Sequence, residues 1–148
     1  MIMANLTSLG EQYVLTLLQG GFSASYTDGF DKIALVGEID SSGTNVLLTT
    51  PQDCGWGFSA GKSNIYTTPD NVFKLTVTTS TVIKGVALLC SGVRNDGSGL
   101  IEFSTTGDLD TSDILSYFAL ETPRTFNNDG EVTIDSLTYN FDRNTASI

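Results

Sequence analysis

Histidine is absent from all 148 residues, which removes the side chain that most often serves as a general base near neutral pH and as a metal ligand. Ser-His and Cys-His nucleophile pairs, histidine-type zinc sites and haem-ligating histidine are thereby excluded. Cysteine is almost absent too, and Cys54 and Cys90 alone are too few for a disulfide scaffold. Each lies in apolar sequence (Cys54-Gly55-Trp56 and Leu88-Leu89-Cys90) and reads as a reduced, buried thiol, with a single bridge between them as the alternative. Basic residues are scarce: 7 Lys and Arg stand against 17 Asp and Glu, a formal charge of -10. Such a chain repels a phosphate backbone, so no nucleic-acid partner is expected. No apolar run approaches the roughly 18 residues of a spanning helix, so no membrane partner is expected either. The first residues, Met1-Ile2-Met3-Ala4-Asn5-Leu6, lack the basic region and continuous apolar stretch of a secretory signal.

What is present suits one domain over residues 1–148, with 40% hydrophobic residues to form its core. The charge is unevenly placed. From Asn95 to Asp142 there are ten acids (Asp96, Glu102, Asp108, Asp110, Asp113, Glu121, Asp129, Glu131, Asp135, Asp142) and one base, Arg124. The rest of the chain is nearly neutral, so one third of it is expected to form a solvated face or to meet a basic partner.

One segment reads as helix. Leu6, Leu9, Tyr13, Val14, Leu17 and Leu18 recur at spacings of three and four, the period of one apolar helical face. Ser8-Leu9-Gly10-Glu11 has the form of a capping box, Gly20-Gly21 supplies a stop, and residues 1–21 make an N-terminal helical segment. A helix this short is marginal alone and must dock, either on its own domain or on a neighbouring subunit. Leu9, Tyr13, Val14 and Leu17 are the candidate assembly contacts.

Beyond the helix the pattern is alternation and turns. Strands are expected at Lys32 to Glu38, at Trp56 to Ile65 with a bulge or tight bend, at Val72 to Thr78, at Ile83 to Cys90 and at Leu100 to Ser104. Further strands are expected near Val132 to Ile134 and Leu137 to Phe141. Ile114 to Leu120 is ambiguous between strand and helix, with Tyr117, Phe118 and Pro123 favouring strand. The fold class is mainly β, an antiparallel β-sandwich or jelly roll with one short N-terminal helix.

Chemistry-bearing motifs fail on inspection. Asp108-Leu109-Asp110-Thr111-Ser112-Asp113 opens like a calcium loop, yet Asp113 stands where the loop needs glycine and Ala119 where it needs a bidentate glutamate. It reads as a solvated acidic turn. The glycines of Asn95-Asp96-Gly97-Ser98-Gly99 are read as turn formers, and no nucleotide-binding glycine frame is present. Trp56, with Tyr66, reads either as core or as a sugar-stacking platform. No catalytic, cofactor-binding or metal residue is assigned, and no cofactor is expected.

Several blocks together resemble a known family. They are the Leu9-Gly10-Glu11-Gln12-Tyr13-Val14-Leu15 helix before Gly20-Gly21, the strand Ile33-Ala34-Leu35-Val36, and Trp56-Gly57-Phe58-Ser59-Ala60 before Val72-Phe73. The run Thr81-Val82-Ile83-Lys84-Gly85-Val86-Ala87-Leu88-Leu89 follows, then Gly99 to Ser104 and Phe126 to Tyr139. In this order they resemble small bacteriophage virion structural proteins, cement-like or tail-fibre-like, which open with a short helix and continue as a β-sandwich. The chain departs from that pattern at Lys84 or Gly85, where the family carries a histidine, and at Gly92 to Gly99, which replaces a shorter aromatic-glycine turn. The resemblance implies no catalytic residue. It implies a virion component on the outer capsid surface that contacts the major capsid protein or other virion proteins, as a homo-oligomer with a trimer favoured. A tail component (fibre, baseplate or adaptor) and a carbohydrate-binding sandwich using Trp56, Tyr66 and the acidic loops are the alternative expectations.

Overall fold

The computed structural model describes residues 4–19, 29–37, 46–54, 56–58, 64–67, 71–75, 80–134, 136–140 and 145–147. Among the described residues thirteen strands and one α-helix follow one another. β1 (Ala4–Leu6) precedes α1 (Ser8–Gln19). β2 (Lys32–Val36), β3 (Gln52–Asp53), β4 (Trp56–Phe58), β5 (Asn64–Thr67), β6 (Asn71–Leu75), β7 (Thr81–Leu89), β8 (Val93–Asn95) and β9 (Ile101–Phe103) come next. β10 (Ser116–Phe126), β11 (Gly130–Ile134), β12 (Ser136–Asn140) and β13 (Thr145–Ser147) complete the series. The mainly β expectation with one short helix is met, and the described strand pairings are antiparallel.

The five-stranded sheet has the order β1-β10-β7-β2-β3, and its centre is dictated by sequence. Gly85 to Leu89 is buried at every position, as an apolar run covered on both faces requires. Alternation then sorts the side chains. Val86 and Leu88 join Ile33, Leu35 and Phe118 on one face, while Ala87 and Leu89 join Ala34, Val36 and Ile114 on the other. The first of these clusters also takes in Phe73 of β6, Val132 and Ile134 of β11, and Leu137 of β12. The β11-β6 pair and the β13-β12-β5-β4 sheet therefore contribute to the same core as the five-stranded sheet.

The ambiguous segment resolves as strand, and one longer than expected. Ser116 to Ala119 pair with Leu88 to Gly85, and Arg124 to Phe126 pair with Ile83 to Thr81. The register shifts between them, so that Leu120 to Pro123 face Lys84 alone. Pro123, which has no N–H for a ladder, sits in this irregularity. Across from Ala119, a Cβ on Gly85 would lie 2.3 Å from the Phe118 carbonyl oxygen, so only glycine fits there.

Three expectations are corrected. Trp56 to Ile65 is two strands, since Phe58 of β4 lies opposite Ile65 of β5, an arrangement one continuous strand cannot make. The helix cap is Thr7, not Ser8: the Thr7 hydroxyl accepts from Gly10 N–H at 3.0 Å, and the first helical bond runs from Glu11 N–H to the Thr7 carbonyl. Thr7 wins because its N–H already extends the β1 pairing by donating to the Leu115 carbonyl, which holds it in the extended backbone a cap needs. Asp113 is not solvated, as set out below. Gly20-Gly21, the proposed stop, lies outside the described residues. Among the described residues no helix is long and apolar enough to cross a membrane.

Candidate docking surface

α1 is held to its own domain from three sides. At its start the Thr7 hydroxyl donates to the Ile114 carbonyl at 2.6 Å while capping the first turn. One turn on, a Cβ on Gly10 would lie 1.8 Å from the Leu115 carbonyl oxygen, so the helix backbone rests directly on the chain leading into β10. On its flank the Gln12 amide donates from Nε2 to the Gly99 carbonyl and accepts at Oε1 from Ile101 N–H, both at 2.9 Å. This two-way contact fastens the helix to the β8-β9 hairpin.

The four candidate contacts divide under this geometry. Leu9 and Tyr13 are buried with Cys90, Val93 and Leu115, and the Tyr13 ring meets Phe30 at 6.1 Å between centroids, tilted by 49°. They are core residues of the domain and are corrected as assembly contacts. The apolar stripe that the sequence shows is satisfied internally because Gly10 lets the helix approach so closely. Burial pushes the Tyr13 phenol well above the ordinary tyrosine range, and the neighbouring Cys90 thiol adds to the shift. Val14 is half-buried. Leu17 remains exposed, and with it Leu15 (58% exposed) and Leu18 (79% exposed), which the periodicity did not single out as contacts. Leu100, between the two hairpin residues that Gln12 binds, is 60% exposed. The signal for Leu15 was available: it falls off the Leu9-Tyr13 face of a helix that carries one charge, Glu11.

The acidic third is mostly turned to water. Asp96, Glu102, Asp108, Asp110, Glu121, Asp129 and Glu131 are exposed, and Asp135 and Asp142 lie outside the described residues. Asp113 is the exception: it is buried, accepting from Asn95 N–H at 2.7 Å and Asp110 N–H at 2.8 Å. With Asp110 it forms a reciprocal capping box on the 3-10 turn Thr111–Asp113. That box ties the turn to β8, a structural role that consumes the carboxylate. Asp96 is likewise engaged, accepting from the backbone and hydroxyl of Ser98 and from Leu100 N–H. These bonds hold its carboxyl below the usual range. Gly97 and Gly99 adopt φ of 95° and 94°, the turn role expected of them.

Among the described residues no group of three acids or cysteines could hold a metal ion. Cys54 and Cys90 are not bridged to one another: Cys90 is buried beside Tyr13, and the Cys54 thiol donates to the Phe30 carbonyl at 3.2 Å. Ser91 donates its hydroxyl to Asp31 at 2.5 Å, a pair that fixes the turn after β7. Trp56 and Tyr66 fall on the paired strands β4 and β5, with Gly57 opposite Tyr66; their side chains lie outside the described residues. Comparison with protein-family models, curated proteins and solved structures finds no match.

Proposed function

We propose that the chain is a non-enzymatic bacteriophage virion protein, a cement or decoration protein that binds the outer head surface and holds neighbouring capsid subunits together. One observation carries this reading: a helix anchored through Thr7, Gly10 and Gln12 still presents Leu15, Leu17 and Leu18 to water. An apolar strip held rigidly gains free energy when a partner covers it, and covering Leu15 and Leu18 would contribute about 2–4 kcal/mol. The carboxylates exposed on the acidic third support an outward-facing surface away from packaged DNA. The order of helix and strand blocks, in its resemblance to small phage virion proteins, supports the same setting. Homo-oligomerisation, with a trimer favoured, follows the closed symmetry usual for such assemblies. In this reading residues 1–148 form a single sandwich of jelly-roll type, supported by the core that β2, β7 and β10 share with β6, β11 and β12.

The experiment is to purify phage particles carrying the chain and to separate heads from tails. Recovery with heads, lost in a Leu15→Ser/Leu18→Ser variant that folds normally, is the expected result. Recovery with tails would transfer the protein to a fibre, baseplate or adaptor role, and recovery with neither would end the virion reading.

A further inference from the structure

A cleft of about 760 Å³ opens between residues 47–51 and the loop 105–111, with Lys32, Ser91 and Arg94 also lining it. Arg94 is the unusual member. The residue is only 9% exposed, and every partner of its guanidinium is a backbone carbonyl. Nη1 donates to Ser91 at 2.8 Å, Val93 at 3.1 Å and Cys90 at 3.4 Å, and Nη2 to Gly107 at 2.9 Å. The Nε–H, closed off from the surface, has no acceptor, and among the described residues no carboxylate pairs with the guanidinium. A guanidinium carries five N–H donors. The carbonyls take both on Nη1 and one on Nη2, leaving one Nη2–H for a ligand beside the enclosed Nε–H. Buried cations are ordinarily paired with an anion, and the two carboxylates held nearby in the same network are committed elsewhere. Asp31 accepts from the backbone and hydroxyl of Ser91, and Asp113 from Asn95 and Asp110.

The rest of the lining repeats this excess of donors. Thr49 Oγ1 accepts from Leu35 N–H at 3.0 Å and Thr111 Oγ1 from Leu47 N–H at 3.3 Å, so each hydroxyl keeps its own proton to give. Lys32 reaches Asp53 with one ammonium proton and has others to spare. A cleft rich in donors fits a ligand rich in acceptors. Asp108 and Asp110, which also line the cleft, disfavour a dianion and can accept from ligand hydroxyls.

We propose that this cleft binds a small hydroxylated carboxylate of the sugar-acid class, its carboxylate drawn toward Arg94 and Lys32 and its hydroxyls met by Thr49, Thr111 and Asp108. The site uses none of the helix residues, so it stands or falls apart from the virion reading.

The test is an NMR titration of the isotope-labelled full chain, following the Arg94 Nε–H resonance and the Thr49 and Thr111 amides. Sodium glucuronate is the probe, compared with glucose and inorganic phosphate at matched ionic strength. The expected result is a saturable shift of Arg94 Nε–H, as reporter of carboxylate binding at the adjoining Nη2, with glucuronate, a weaker response to phosphate and none to glucose. Lys32→Gln, a change at a partly exposed side chain, should weaken glucuronate binding several-fold without lowering thermal stability. No movement of Arg94 Nε–H, an equal response to glucose, tighter binding of phosphate, or unchanged affinity in Lys32→Gln would each overturn the proposal.

Discussion

Gly10→Ala puts the docking of α1 to a decisive test, because two effects of opposite sign compete there. In a free helix the substitution gains about 1 kcal/mol of propensity. Here the new methyl would lie 1.8 Å from the Leu115 carbonyl oxygen and 2.8 Å from its carbon. The helix must retreat by about 1.5 Å to reach ordinary contact. That retreat breaks the Thr7 bond to the Ile114 carbonyl, about 1 kcal/mol, and lifts Leu9 and Tyr13 off Cys90, Val93 and Leu115. Losing much of the roughly 2–3 kcal/mol that each such side chain contributes outweighs the propensity gain. The net expectation is a loss of about 2–4 kcal/mol, or a fall in Tm of roughly 5–12 °C for a domain of this size. Circular dichroism melts and urea titrations measure it, with Gln19→Ala at the exposed helix end as a control expected within about 0.5 kcal/mol of the parent. A Gly10→Ala protein as stable as the parent would refute the close helix-to-strand approach on which the geometry of the docking strip depends.

Other consequences follow from single side chains. Asp113→Ala removes the buried carboxylate that accepts from the Asn95 and Asp110 N–H groups, and urea unfolding should show a loss of about 1–3 kcal/mol; a change under about 0.5 kcal/mol would contradict the capping box. The Tyr13 phenol titrates above its unfolded value, so its contribution is fully present below about pH 10 and is lost as pH rises toward the folded value. Stability should therefore fall above about pH 10, and Tyr13→Phe should flatten that fall; an unchanged alkaline profile would count against burial of the phenol. Leu15→Ser with Leu18→Ser should leave the melting temperature nearly unchanged while abolishing concentration-dependent association in sedimentation velocity. A variant that associates like the parent would remove these leucines from the contact.

Much of the strand layout was legible because alternation and apolar runs report burial directly. Ile83 to Cys90 reads as a buried strand from its composition, and it lies at the centre of the main sheet. Three short strands were not legible. β1, β3 and β8 are two or three residues long, too short for any period to show, and they exist through pairing with distant segments such as β10 for β1. The cap was misplaced for a related reason: Ser8 and Thr7 are equally good caps locally, and the choice is made by the Leu115 carbonyl more than a hundred residues away. Periodicity found the apolar helix face but could not say whether the domain itself covers it, which is why Leu9 and Tyr13 were placed at an interface and Leu15 was passed over. Arg94 gave no sequence signal at all, since its significance lies in the absence of a counter-ion around it.

Contact at the surface of a virus head is the work we propose for this protein. Quantitative mass spectrometry of purified, tail-depleted heads tests it most directly, combined with surface labelling of Glu102, Glu121 and Glu131. The expected result is the chain present in many copies per head, with these carboxylates labelled and α1 protected. Heads that lack the chain, or that protect the acidic third and leave α1 open, would contradict it.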